Sequence, residues 1–520
     1  MVSAEEFKHR SRNIAQRFLQ TAVVVDDEAY IGPNGSAGPR ADIVVPGRNT
    51  RASHRDANGP VGHGASHALD AGTLIDSFSA LGVICGVVGP TDAAMETMRQ
   101  ADIVILDWRL QEDEPKRALE LLRDLLTGEA DQNSLRLVAI YTGEAGLEEI
   151  RADVLAELKE QGLEPDENGT GPEISYRHGR VVLYAKSDVN LAPPLNERSV
   201  SEEDFPKRLV DDFASMTAGL LPGIALTSLA AVREGAHKVL DRFSTELDPA
   251  FLAHKACLSE PEDAERQIVN HVAEELRGLM DNAVAEQSPA GADAVEGWIR
   301  RKDDGVANFA FGDREIDVEQ TITLANKGLA ASKLKNNAFE GLSAGFSGHN
   351  AVGLDERLAW IMSSRTVYSA PPPILWLGTV VTASHPNGER HLICMRPRCD
   401  CVRLSEETVF FFLPLVDPKK GMDQIIVSVD GTFRRLGIER DPGGWVLRRF
   451  EPSAGSSAVT AAKRQPDGGF EFTDIKDNRY KWRGELKAEY AQRIAQTFGG
   501  TLSRVAVDES EWLRRMARKG

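Results

Sequence analysis

The stretch "ADIVILDWRL" (residues 101–110) runs through Ile103, Val104, Ile105 and Leu106 and then stops on a carboxylate, Asp107. A short apolar run without alternation is a strand buried on both faces. An unpaired charge inside such a strand is costly, so Asp107 marks the strand's end and faces whatever lies beyond it.

Working outward, "TAVVVDDEA" (21–29) repeats the design and ends in two acids, Asp26 and Asp27. "VICGVVG" (83–89), "LRLVAIYTG" (135–143) and "RVVLYAKS" (180–187) read as three more buried strands. Helical spacing fills the gaps, in residues 69–82, 92–101, 116–126, 146–162 and 202–219, with a leading helix over 4–20. Strands and helices in strict alternation predict an α/β, doubly wound, parallel five-stranded sheet covered on both faces. In such sheets ligands sit beyond the carboxyl ends of the strands. Those ends deliver Asp26, Asp27, Asp107, Thr142 and Lys186 to one rim.

Each residue also has a plain structural reading. An Asp at a strand end caps or turns the chain, a Thr before Gly belongs to a turn, and a Lys at a strand end is solvated. Their joint order at successive strand ends favours a common site.

The motifs "VVVDDE", "VILDWRL", "AIYTGE" and "LYAKS" resemble the receiver domain of two-component response regulators, a flavodoxin-like fold, over about residues 20–220. The resemblance implies a Mg²⁺ site formed by Asp26, Asp27, Asp107 and the backbone carbonyl of Arg109. It implies Asp107 as phosphoacceptor, Thr142 as the hydroxyl that meets the phosphoryl oxygens, and Lys186 as their counter-charge. It also implies a sensor histidine kinase or phosphotransfer protein as partner. The chemistry is coherent: crowded carboxylates raise one another's pKa values, and a hard divalent cation relieves them. Two departures stand out. Ser187 follows the lysine where the family has proline, and Leu183 occupies the position of the family's aromatic switch, with Tyr184 turned to the other side.

The whole chain sets the context. Its 520 residues exceed what one core supports. Hydrophobic content of 42% and charged content of 27% are ordinary for a globular protein. No apolar run is long enough to span a bilayer, and the charged N-terminus does not read as a signal peptide, which sets a cytoplasmic expectation with no membrane partner. Net charge is −18, but from residue 367 onward 24 Lys and Arg face 19 Asp and Glu, so the last part is basic. That asymmetry suggests separate modules.

Three regions are expected: a receiver over 1–220 with a flexible Gly/Pro/Ser-rich insertion at about 30–66, a mainly helical linker or dimerisation region over 221–368, and a β-rich α+β effector module over 369–520. A second insertion covers 163–179. The helical stretches 226–243, 264–284 and 353–367 pack as core helices or support a homodimer, the latter together with the last helices and strand of the receiver. "LLPGIA" (220–225) reads as a hinge between the receiver and this region. Cys394, Cys399 and Cys401, with His391 nearby, lack the paired spacing of a zinc site; strand alternation places Cys399 and Cys401 on one face as small buried thiols. His54, His63 and His67 read as solvated. "NRYKWRGELK" (478–487) is either a solvated strand end or a nucleic-acid surface.

Two functions follow. In one, phosphorylation of Asp107 controls a C-terminal effector or partner surface. In the other, an effector acting on nucleic acid or nucleotides, in a prokaryotic stress or phage-defence setting, is scaffolded by a receiver that is not phosphorylated. No catalytic motif in the last region names an enzyme.

Overall fold

The computed structural model describes residues 3–29, 68–110, 116–128, 134–166, 171–176, 179–258, 261–302, 308–311, 314–332, 342–347, 353–366, 372–386, 388–429, 431–464, 469–502 and 515–516. The expected insertion at 30–66, with His54 and His63, and His67 just after it lie outside these residues, as does most of the expected last helix at 509–519. The chain divides into two compact units, Met1–Asn308 with Asp317–Leu334, and Phe309–Ile316 with Lys335–Gly520.

The first unit is built on strands β1 (Thr21–Val25), β2 (Ile84–Val88), β3 (Ile103–Leu106), β4 (Arg136–Thr142), β5 (Glu173–Tyr176), β6 (Gly179–Lys186) and β7 (Ser199–Val200). Their order is β2-β1-β3-β4-β6-β5, with β7 beside β6. The run β2-β1-β3-β4-β6 is parallel throughout and is the flavodoxin-like order. The five expected parallel strands are present, and two more, β5 and β7, bring the sheet to seven described strands. The insertion at 163–179 supplies β5, which pairs antiparallel with β6, and β7 pairs parallel with the end of β6. A long insertion can fold back and cover an edge strand's open hydrogen-bonding groups.

Helices cover both faces: α1 (Ala4–Phe18), α2 (Ala71–Ser79), α3 (Asp92–Gln100), α4 (Lys116–Thr127), α5 (Leu147–Glu160) and α6 (Phe205–Thr217). One face packs Val23, Val104, Val138 and Leu183 against Met98, Leu121, Leu125, Ile150 and Val154 of α3, α4 and α5. The other packs Val24, Ile105, Ala139 and Tyr184 against Ile14, Leu74, Phe78, Leu209 and Phe213 of α1, α2 and α6. Consecutive strand residues thus serve opposite cores, which explains the unbroken apolar runs. Each fully buried large aliphatic side chain stabilises the fold by about 1.5–3 kcal/mol.

Local sequence fixes the helix ends. Ser3 and Glu6 form a reciprocal capping box at α1. Asp70 caps α2 by accepting from the Thr73 amide. The buried Arg136 guanidinium donates to the carbonyls of Met98 and Arg99 at the end of α3, where positive charge also suits the helix dipole.

Beyond Ala218 and Gly219 the chain forms α7 (Leu220–Arg242), α8 (Asp248–Cys257), α9 (Asp263–Gln287) and α10 (Ala292–Lys302), then paired strands β8 (Asn308–Phe311) and β9 (Arg314–Asp317), and α11 (Val318–Lys327). The expected hinge over 220–225 is not there. Leu220 already starts α7, and Pro222 sits in its first turn, where its missing N–H is harmless. The break falls one step earlier, at Ala218–Gly219. Helix α7 docks on the seven-stranded layer through Arg233, whose guanidinium donates to both Asp102 oxygens at 2.8 and 2.9 Å and to the Phe18 carbonyl at 3.0 Å. Helices α7 and α9 run antiparallel. Gly235 permits their close approach, since a Cβ there would lie 2.5 Å from Leu279.

The second unit holds α12 (Leu342–Ser347), α13 (Leu354–Ser363) and a sheet of nine described strands, followed by α14 (Ala488–Leu502). The strands are β10 (Thr379–His385), β11 (Gly388–Cys394), β12 (Thr408–Val416), β13 (Gln424–Val429), β14 (Thr432–Ile438), β15 (Val446–Phe450), β16 (Ala462–Lys463), β17 (Phe470–Thr473) and β18 (Arg479–Glu485). Neighbours pair antiparallel, in the order β13-β14-β12-β11-β10-β18-β17-β16 with β15 on β12. One face packs Val380, Ile393, Leu413 and Val427 against Ile494 and Phe498 of α14. The other gathers Phe410, Phe412, Phe450, Phe472 and Tyr480.

Two expectations change in this unit. "NRYKWRGELK" is not a solvated strand end: β18 lies between β10 and β17, Tyr480 is buried, and the Trp482 ring meets Phe470 edge-on. Cys399 and Cys401 do not share a face, because Pro397 leads into a 3₁₀ turn over Arg398–Cys401 and strand alternation does not apply. Cys401 is buried with Cys394 in the aromatic core, while Cys399 is exposed. His391 is half-buried, with Nδ1 2.8 Å from the Thr382 hydroxyl.

Candidate functional site

The site is made by adjacent strand ends. Asp26 continues β1 by one residue, its amide donating to the Val88 carbonyl at 3.1 Å, and Asp107 continues β3, its amide donating to the Val25 carbonyl at 3.0 Å. Both backbones are therefore fixed by the sheet. The Asp26 carboxylate accepts from the Glu28 amide at 2.7 Å, which holds the turn that leads away from the strand.

Lys186 ends β6 and reaches across this rim. Its ammonium lies 3.6 Å from Asp26 and 3.5 Å from Asp107. Asp26, Thr142 and Lys186 are buried and Asp107 nearly so. Asp107 is pushed up to about 7, above the ordinary range of a carboxyl. Burial is the main cause; Lys186 opposes it, and the charges of Asp26 and Asp27 add to it. One ammonium serves two buried acids, and the rim holds more negative charge than it neutralises.

Thr142 closes β4, opposite Ala185 in the register with β6, and its hydroxyl accepts from the Glu144 amide at 3.1 Å. Glu144 in turn pairs with the Arg109 guanidinium. The strand ends thus bring together Asp26, Asp107 and Lys186 in direct contact, with Thr142 on the adjoining strand. Among the described residues, no group of three or more His, Cys, Asp or Glu side chains is arranged to hold a metal ion, at this rim or around Cys394, Cys399 and Cys401.

Sequence reasoning missed the floor of the site. Tyr141, one residue before Thr142, is buried, and the Lys186 ammonium lies 5.9 Å from its ring centroid. Its hydroxyl donates to the Val200 carbonyl at 2.8 Å. Tyr184 stands beside it, its hydroxyl donating to Asp212 at 2.7 Å. Leu183 and Tyr184 face opposite cores, as alternation demands. A signal was present: tyrosines inside otherwise aliphatic strands need a partner for the hydroxyl.

The comparisons agree with this geometry. Residues 18–191, about a third of the chain, match the family model described as a response receiver domain. This segment is a receiver domain, the module of response-regulator signalling. Neither the comparison with curated proteins nor that with solved structures gives a match. Among the described residues, no helix is long and apolar enough to cross a membrane.

Proposed function

We propose that this chain is a response-regulator-type signalling protein in which Asp107 accepts a phosphoryl group in a Mg²⁺-dependent step. The modified receiver then controls the C-terminal unit or a partner surface. The observation that carries the reading is Lys186 held between Asp26 and Asp107 at the carboxyl ends of a parallel sheet.

The residue types suit the cation. Mg²⁺ takes hard oxygen ligands, uses one or two carboxylates and keeps several waters. Asp26 and Asp107, with Asp27 and the Arg109 carbonyl, would hold it, and the elevated Asp107 carboxyl marks a rim short of positive charge. When bound, the cation supplies charge neutralisation to the phosphoryl group in transit. The chain's own residues do the rest. Asp107, ionised, attacks phosphorus and displaces the donor's leaving group. Lys186 follows the added charge on the phosphoryl oxygens with a compact ammonium. The Thr142 hydroxyl turns to donate to the same oxygens. The donor is a sensor histidine kinase or a phosphotransfer protein.

A second reading has its own observation. Leu183 is buried where the family's switch aromatic stands, and among the described residues no three acids are already arranged around a metal position. On that reading the receiver is an inert scaffold for an effector acting on nucleic acid or nucleotides.

The deciding experiment treats the full chain with Mg²⁺ and acetyl phosphate, and in parallel with beryllofluoride. Phosphorylation lost in Asp107→Asn supports the first reading. A folded wild-type chain that takes up neither reagent supports the second.

A further inference from the structure

The helical hairpin of α7 and α9 has an outer face on which apolar side chains are exposed among the described residues. On α7, Leu221, Leu229 and Leu240 are 61%, 49% and 69% exposed; on α9, Val269 is 64% exposed, and Leu276 and Met280 are half-buried. Isolated exposed leucines need no explanation, but Ala225, Val232 and Ala236 lie between the three α7 leucines on the same side of the helix and make a continuous apolar row.

The two rows share one face. The helices touch at Gly235 and Leu279 and are tied by Arg242 and Glu275 at 3.1 Å. Counting about 100° per residue from the Gly235–Leu279 contact, the α7 row lies roughly 40–140° around its helix and the α9 row roughly 60–100° around its own, in the same rotational sense. In antiparallel helices the same sense of rotation brings both rows to the same side of the pair. Of the α7 residues that meet the receiver, Leu226 and Arg233, at roughly 180° and 160°, border one edge of the row, and Glu234, at roughly 260°, lies on another side.

We infer that this face is a homodimer interface, in which the α7–α9 hairpins of two copies close into an antiparallel four-helix bundle. Three observations select a second copy as the occupant. The first is size: a 23-residue helix is about 34 Å long, and two helices side by side are roughly 20 Å wide, so the face offers on the order of 700 Å², near the ~800 Å² that each partner gives to a stable interface. The second is symmetry. A two-fold interface needs a self-complementary patch, and a flat plate of leucine, valine and methionine packs on its own copy. The third is charge. Helix α9 carries six acids against two Lys and Arg, whereas α7 carries two acids against three. With Arg233 and Arg242 already paired within the chain, stacking α7 of one copy over α9 of the other is favoured chiefly because it keeps the two acidic α9 helices apart.

The inference does not depend on phosphorylation of Asp107. Sedimentation of the full chain over a range of concentrations tests it. The wild type should reach twice 56.8 kDa. Leu229→Glu with Leu240→Glu should raise the dimer dissociation constant by at least about 100-fold, as loss of two apolar anchors at an interface does. Both residues are exposed in the single copy, so helix content by circular dichroism should not change. The uncharged pair Leu240→Gln with Val269→Gln should weaken the dimer in the same direction. A wild type that stays monomeric at all concentrations, or dimers that survive both pairs in folded protein, would overturn the assignment and give the face to the second unit or to another protein.

Discussion

The Tyr141 ring stacks on Phe205 with centroids 4.1 Å apart. Tyr141 lies under the Lys186 ammonium, and Phe205 is the first residue of α6, whose far end at Thr217 is joined to α7 by Ala218 and Gly219. The stack is therefore a packed link from the charged rim to the helix that leads into α7. Phe205→Ala should cost about 3–5 kcal/mol, as other buried aromatic truncations do. Phe205→Leu should keep most of the stability, leave phosphorylation of Asp107 intact and weaken any response of the C-terminal unit. Chemical denaturation combined with phosphotransfer separates the two effects. A Phe205→Leu protein with full output would remove this link from the signalling route.

Asp107 makes the metal-free protein pH-sensitive. Its folded pKa of about 7 lies above the unfolded value, so the protonated carboxyl favours folding. That stability is fully present below about pH 4 and is lost as pH rises through about 7. Asp107→Asn should be more stable than wild type at pH 8 in chelator, and the advantage should vanish near pH 4. Added Mg²⁺ should close the gap at pH 8 by stabilising the wild type alone. Paired melting curves measure this; a gap that is flat with pH would refute it.

Asp26 and Asp27 test the metal directly. Asp26→Asn and Asp27→Asn should each weaken Mg²⁺ binding by at least about tenfold, equivalent to ~1.4 kcal/mol. Without metal they should leave stability unchanged or raise it, because like-charge repulsion falls. Calorimetric titration and melting in chelator give both numbers. A marked loss of metal-free stability in Asp27→Asn would make it a structural cap instead.

In the second unit, Asp474 holds the turn into β18. Its carboxylate accepts from the amides of Lys476 and Asn478, from the Asn478 side chain and from the Tyr480 hydroxyl, all within 2.9–3.1 Å. Asp474→Ala leaves the buried Tyr480 hydroxyl without this acceptor, frees the more exposed Lys476 and Asn478 donors to water, and should destabilise this unit by about 1–3 kcal/mol. Beryllofluoride uptake by the receiver should not change. Loss of both would tie the two units together in folding.

The receiver was legible because its signals are local. The runs ending at Val25, Leu106, Thr142 and Lys186 announce buried parallel strands, and each ends within a residue or two of the acid, hydroxyl or ammonium that matters. What escaped depends on partners far apart in sequence. Nothing around Glu173–Tyr176 says that it turns back on β6, and nothing near Asp102 announces Arg233, 131 residues away. The cysteines misled because alternation was assumed across a proline. The basic, aromatic stretch in β18 misled because composition does not say which face of a sheet an aromatic takes; Tyr480 went inward.

Helix α1 lies against α6, with Arg12 paired to Asp211 and Phe18 stacked on Phe213 at 5.9 Å. Both helices fall wholly or almost wholly outside the matched segment, 18–191. A fragment cut to that segment would uncover the Tyr141, Tyr184 and Val24 side of its sheet to water. It should be insoluble or molten when expressed alone, whereas a fragment carrying residues 3–217 should keep that face dry. The boundaries of a sequence family and those of a foldable piece of chain are, in this protein, different lines.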